Sequence, residues 1–265
     1  MNKKIMKSFI SSVIILGTIS FLPGNPDMPK NISNMYKVNA EESFDKVISS
    51  VKEKVAKDSR VNLFDIKATK EGEKIVLKGK VLEDFQKKEI LAAFQSLGEI
   101  KDEIETFPFI KETGEKYYGI VNLPVMQIRD NPKHSAQLIT QGLFGMGMKI
   151  IGMNSQKTDW VQISMDDDKY VGWVKKSDVW FVDPNTYSDW LNKDKIMITD
   201  SSVDLLKSAD NNDKSGIKLY LTTRTNLTGE KGNYYKVMLT GGNKYYSNHE
   251  FFIPKSSARF IGKRL

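Results

Sequence analysis

Between residues 121 and 182 apolar and polar positions alternate in short runs divided by turn signals. Val125, Gln127 and Arg129 alternate with Met126 and Ile128, and Asn131-Pro132 stops the run. Leu138 to Phe144 is a second apolar run, closed by Gly145. Lys149 to Met153 is a third, followed by the polar turn Asn154-Ser155-Gln156-Lys157. Trp160-Val161-Gln162-Ile163 is a fourth, ending at Asp166-Asp167-Asp168, and Tyr170 to Val174 is the fifth. Five short strands in about sixty residues, with no helical period, predict a small all-β barrel.

The flanking patterns differ. Phe44, Val47, Ile48, Val51 and Val55 fall on one helical face. Two strands follow, Val61 to Ala68 and Lys74 to Val81, joined by Lys70-Glu71-Gly72-Glu73. A second helix is predicted from Asp84 to Leu97, burying Phe85, Leu91, Phe94 and Leu97 and stopped by Gly98, with a closing strand over Glu103 to Phe109. Beyond the central stretch, Asp183-Pro184-Asn185-Thr186 opens a short helical linker, and residues 196–260 read as an eroded second copy. There Tyr234-x-x-Val237 repeats the spacing of Trp160-x-x-Ile163, Gly241-Gly242 stands for the acidic turn, and Lys244-Tyr245-Tyr246 for Tyr170-Val171-Gly172. The expected fold class is α+β: an amino-terminal αββαβ module followed by two small barrels. The expected divisions are 1–40 for a leader, 41–112, 113–186 and 187–265.

Arg129, Asp130, Pro132, the run His134 to Gln141, Gly145, Asp159-Trp160, Ile163 and Tyr170-x-Gly172-Trp173-Val174 resemble the bacterial SH3 domains that precede the catalytic domain of NlpC/P60 cell-wall peptidases. The resemblance implies SH3-like barrels and a cell-envelope setting. The order of the amino-terminal elements is similar to BON domains, small α/β modules of bacterial envelopes.

Composition then narrows the function. The net charge of +7 depends on the amino terminus, where Lys3, Lys4, Lys7, Lys30 and Lys37 face only Asp27; the remainder carries 35 basic and 32 acidic residues. That balance, without a basic cluster, excludes nucleic acid as the main partner. A basic start, the apolar stretch Ser8 to Leu22 and Val38-Asn39-Ala40 predict a secretory leader cleaved after Ala40, placing the protein outside the cell or in the wall; an uncleaved leader would leave it membrane-anchored. The chain has no cysteine. The thiolate of an NlpC/P60 peptidase, disulfides and cysteine-based zinc sites are therefore all ruled out. The expectation is a protein with no catalytic residue, no metal and no cofactor. It would bind peptidoglycan or its stem peptides, or dock a wall hydrolase. Two alternatives are the targeting half of a peptidase and an inhibitor or adaptor of another protein.

Four residues are candidate ligand contacts. Arg129 could clamp a carboxylate or pair with a neighbouring acid. Asp168, in the acidic turn, could take an ammonium group or sit in a solvated hairpin. Tyr170 and Trp180 could line an aromatic groove, whereas strand periodicity places Trp160 and Trp173 in the core. His134 and His249 have no nucleophile beside them in sequence, and Asn226-Leu227-Thr228 matches a glycan acceptor only incidentally.

Overall fold

The computed structural model describes residues 30–153, 159–239 and 249–262. Helix α1 (Lys30–Val55) is followed by β1 (Phe64–Glu71), β2 (Lys74–Val81), α2 (Asp84–Phe94) and β3 (Glu99–Thr106). The expected leader up to residue 29 lies outside the described residues, and the expected cleavage point after Ala40 falls within α1. Among the described residues no helix is long and apolar enough to cross a membrane.

β1 and β2 form a hairpin about Gly72, whose φ of +61° suits a residue without Cβ. β3 joins β2 in parallel, with α2 as the crossover. Phe44, Ile48 and Val51 of α1 and Ile90 and Phe94 of α2 cover Phe64, Ile66, Ile75 and Leu77. Phe85, expected inside, is instead 53% exposed. The phase of α2 is set by Gln86, which is fully buried. Its Oε1 accepts from the Leu82 and Glu83 amides at 3.1 and 3.0 Å, and its Nε2 donates to Asn62 Oδ1 at 3.2 Å. A satisfied carboxamide thus holds the inward position, and its neighbour Phe85 is turned to solvent.

After the short helix α3 (Ile110–Thr113) come β4 (Tyr118–Val121), β5 (Val125–Arg129), β6 (Leu138–Leu143), β7 (Gly147–Met153), β8 (Trp160–Met165), β9 (Val171–Lys175) and β10 (Val179–Val182). They form one sheet in the order β10-β4-β7-β8-β9-β5-β6. The five expected strands are all present, and β4 and β10, which pair with each other, complete the set. The expected closed barrel is not formed. No ladder joins β10 to β6, and β9 meets β5 only at Trp173–Arg129. The β5–β6 ladder carries a bulge there, with Ile139 of β6 as the extra residue between the pairs Ile128–Thr140 and Arg129–Leu138. The concave side of the sheet buries Met126, Ile128, Met148, Ile150, Val161, Ile163 and Val174.

Helix α4 (Pro184–Asn192) is capped by Asp183, whose Oδ1 accepts from the Asn185 and Thr186 amides, both at 3.0 Å. It leads to β11 (Lys195–Ile198), β12 (Ser202–Leu206), β13 (Lys214–Tyr220), β14 (Arg224–Lys231), β15 (Tyr234–Met238), β16 (Glu250–Pro254) and β17 (Ala258–Gly262). The second sheet runs β13-β12-β16-β15-β14-β11-β17, which is the first sheet's order with every strand advanced by seven. It too is an open sheet, where a closed barrel was expected. Register agrees as well: Trp160 lies opposite Lys175 in β9, and Tyr234 opposite Pro254 in β16. The positions 241–246 assigned to the second copy lie outside the described residues.

Residues Ser43–Leu265 form one compact unit. The amino-terminal module meets the first sheet through Leu82, Phe109, Ile151 and Val171. Arg60 O also accepts from the Val171 amide at 2.6 Å. The two large sheets share a core in which Ile120, Phe144 and Val182 of the first join Ile196, Leu205 and Val237 of the second through Tyr187 and Trp190 of α4. Gly145 lies where the first sheet approaches β14 of the second. Its φ is +80°, and a Cβ there would sit 2.4 Å from Arg224 O. Gly145→Ala is expected to cost about 1–3 kcal/mol, from backbone strain plus displacement of β14. Urea unfolding against the parent chain measures it, and an unchanged midpoint would show that the junction yields freely.

Candidate functional site

On β5, β8 and β9 the residues that alternate with the core face outward. Val125, Gln127 and Arg129 do so on β5, Trp160 and Gln162 on β8, and Trp173 and Lys175 on β9. A cleft of about 220 Å³ opens on this face, lined by Leu123, Val125, Gln127, Arg129, His134, Trp160, Lys175 and Asp178. Asp178 enters from the 3-10 turn Lys176–Asp178 between β9 and β10.

Trp160 anchors the cleft. It is only 6% exposed, yet its burial is not in the core, because Val161, Ile163 and Met165 take the inward positions of β8. What covers it is local. Lys175 Nζ lies 5.0 Å from the ring centroid, and the His134 ring stands edge-on at 5.4 Å. Trp173 is half-buried on the same outer face, so neither tryptophan has the core position expected from periodicity.

Arg129 reaches this cleft, but its guanidinium is partly engaged. Nη1 donates to Ala136 O at 2.6 Å and Nη2 to Gln127 Oε1. The first of these bonds ties down the 130–137 loop that carries His134, so Arg129 positions the loop and also adds its charge to the cleft. Lys175 faces Asp159 at 4.0 Å, but that carboxylate side chain is 87% exposed and the pair contributes little.

The other three candidates lie elsewhere. Asp168 Oδ1 accepts from the Tyr170 amide at 3.0 Å, closing the β8–β9 hairpin. Tyr170 is half-buried beside Val171, where the amino-terminal module docks. Trp180 packs edge-on against Trp190, with centroids 6.0 Å apart, in the core between the two sheets. The acidic turn holds the structure together: Tyr187 Oη donates to Asp166, and Arg224 pairs with Asp167 at 3.3 Å. Asn226 is 3% exposed on β14, inside the second sheet.

Sequence reasoning missed His134, Lys175, Gln127 and Asp178 as partners of Arg129. A usable signal existed for β8: with 161, 163 and 165 all apolar, parity puts Trp160 on the opposite face. Nothing in the sequence shows the turn holding Asp178 folding back beside Leu123.

The curled sheet thus carries a charged cleft lined by Trp160 beside the loop 130–137. Residues 128–179 match the family model of the bacterial dipeptidyl-peptidase SH3 domain, and this segment is similar to SH3 domains of that type. No curated protein matches the chain. Among solved structures it is similar to an NlpC/P60 family protein from Bacillus cereus, at 14% identity and a TM-score of 0.43, over 55% of this chain and 57% of that one. It is also similar to an NlpC/P60 endopeptidase from Photobacterium damselae subsp. piscicida, at 18% identity and a TM-score of 0.38, over 56% of this chain and 33% of that one. The chain therefore spans less than two thirds of the length of either structure.

Proposed function

We propose that this is a secreted cell-envelope protein without catalytic activity, whose first SH3-type sheet binds peptidoglycan stem peptides. The observation that carries this reading is the cleft itself, where two cations, one carboxylate and a tryptophan converge on the family-matched segment. The second sheet supports the first and does not duplicate its site. Matching the registers puts Leu206 where the first sheet has Arg129, Tyr234 for Trp160, Pro254 for Lys175 and Ser257 for Asp178. The absence of cysteine removes the thiolate on which an NlpC/P60 reaction depends. The proposed divisions are a leader up to residue 40, the α/β module to 112, the first SH3-type unit to 186 and the second to the end.

A related reading, that the same face docks a separate wall hydrolase, is favoured by the peptidase in the family's description. Retention of the full chain on purified sacculi tests the main reading. Lys175→Ala is expected to weaken retention roughly tenfold, the worth of one charge-assisted contact, with an unchanged melting temperature. Unaltered retention would move binding away from the cleft. Retention only when a hydrolase is added would favour docking.

A further inference from the structure

The cleft holds opposite charges that its own walls leave uncompensated. Among the described residues Arg129 bonds only to a carbonyl and a carboxamide oxygen, both neutral. Asp178 accepts from the Ser177 hydroxyl at 2.8 Å and forms no ion pair among those residues. Among the described residues Lys175 has one ion pair, its long contact with exposed Asp159, and its Nζ also lies 5.0 Å from the Trp160 ring centroid. We propose that the ligand of this cleft is a zwitterion, in effect a short peptide with both ends free. Its carboxylate would be taken by Lys175 and Arg129 and its ammonium by Asp178. The inference rests on the cleft being the binding site argued above.

Charge points this way. A purely anionic ligand would leave Asp178 facing like charge, and a purely cationic one would oppose Arg129 and Lys175; only a ligand carrying both signs satisfies all three groups. The cleft, about 220 Å³, is open on one side, so a short peptide can seat one end in it. Val125 and Trp160 supply an apolar floor for small side chains. Acylating the amine of such a ligand removes one of the two charges. A site of this kind therefore distinguishes free peptide ends from ends consumed by cross-linking.

The test titrates alanyl-alanine, N-acetyl-alanyl-alanine and alanyl-alanine amide into the full chain, following the Trp160 indole N–H by NMR. The free dipeptide is expected to bind, and each blocked form to bind roughly tenfold more weakly. In Asp178→Asn, acetylation should cease to matter while amidation still does, and in Lys175→Gln, where Arg129 remains, amidation should matter less while acetylation still does. Retained spectral dispersion in both variants shows that the fold is intact. Equal binding of free and blocked dipeptides overturns the proposal, as do losses that ignore the paired residue and failure of all three to bind. Sacculus retention without any free-end preference removes the zwitterion and leaves the envelope reading standing. Dipeptide binding without sacculus retention does the opposite.

Discussion

Trp190→Ala is expected to destabilise the protein by about 4–8 kcal/mol, a large part of the roughly 5–15 kcal/mol that holds a typical domain folded. Trp190 is 3% exposed and stands edge-on to both Trp180 and Phe144, at 6.0 and 6.5 Å. Emptying that volume costs about 3–5 kcal/mol, as for other buried aromatics. The indole also donates through Nε1 to Gly145 O at 3.1 Å, in a buried position. Without it that carbonyl is left unpartnered, a further cost of about 1–3 kcal/mol. Trp190→Phe separates the two effects, because it keeps most of the ring and loses only the bond. Calorimetry should show both variants melting earlier, the alanine variant by far the more. A Trp190→Ala chain that melts with its parent would mean that the two sheets do not share a core.

Lys195→Met should cost about 2–4 kcal/mol, although it replaces a buried charged residue by an apolar one of similar length. Lys195 is 2% exposed, and its Nζ donates to Trp190 O, Leu191 O and Lys193 O at 2.6, 3.1 and 2.9 Å. These are carbonyls at the carboxyl end of α4, where the last turn has no intrahelical donors and the helix dipole is negative. A buried ion is often a net burden, and an apolar substitute can then be neutral. Here the ammonium serves three acceptors, and removing it strands them next to the shared core. For a chain of this size each kcal/mol shifts the melting temperature by about 2–4 °C, so a drop of several degrees is expected. A rise would show that desolvating the ammonium outweighs the three bonds. Trp190 and Lys195 touch the same helix end, so the double variant should fall short of the sum of the two losses.

The outer face of the first sheet shows how much of the site was legible. Alternation along Val125 to Arg129 correctly separates Met126 and Ile128, which are fully buried, from the residues that line the cleft. Trp160 departs from the same reasoning, which places it in the core by strand periodicity. Its ring is buried by His134 and Lys175 instead, from the loop 130–137 and from a neighbouring strand. Burial by a loop leaves no period in the sequence. Trp180 and Asp168 mislead in the other direction: both look available, and both are engaged in packing or in a turn.

By itself the sequence determined the local elements, the repeat and the chemistry that is out of reach. Period-2 and period-3.6 patterns mark which face of each strand or helix avoids water, and these are properties of neighbouring residues. The matched spacing of Trp160-x-x-Ile163 and Tyr234-x-x-Val237 marks equivalent strands, and the missing thiol excludes thiolate catalysis. Tertiary structure decided the rest. Whether a curled sheet closes depends on pairing between strands far apart in the chain, and here β6 and β10 never meet. That Lys195 caps α4, that Asp166 meets Tyr187 of α4 and Asp167 meets Arg224 of the second sheet, and that Arg129 and Asp178 share one cleft are long-range encounters. They follow from the fold of the whole unit, because each requires side chains from different elements to be brought within a few ångströms of one another.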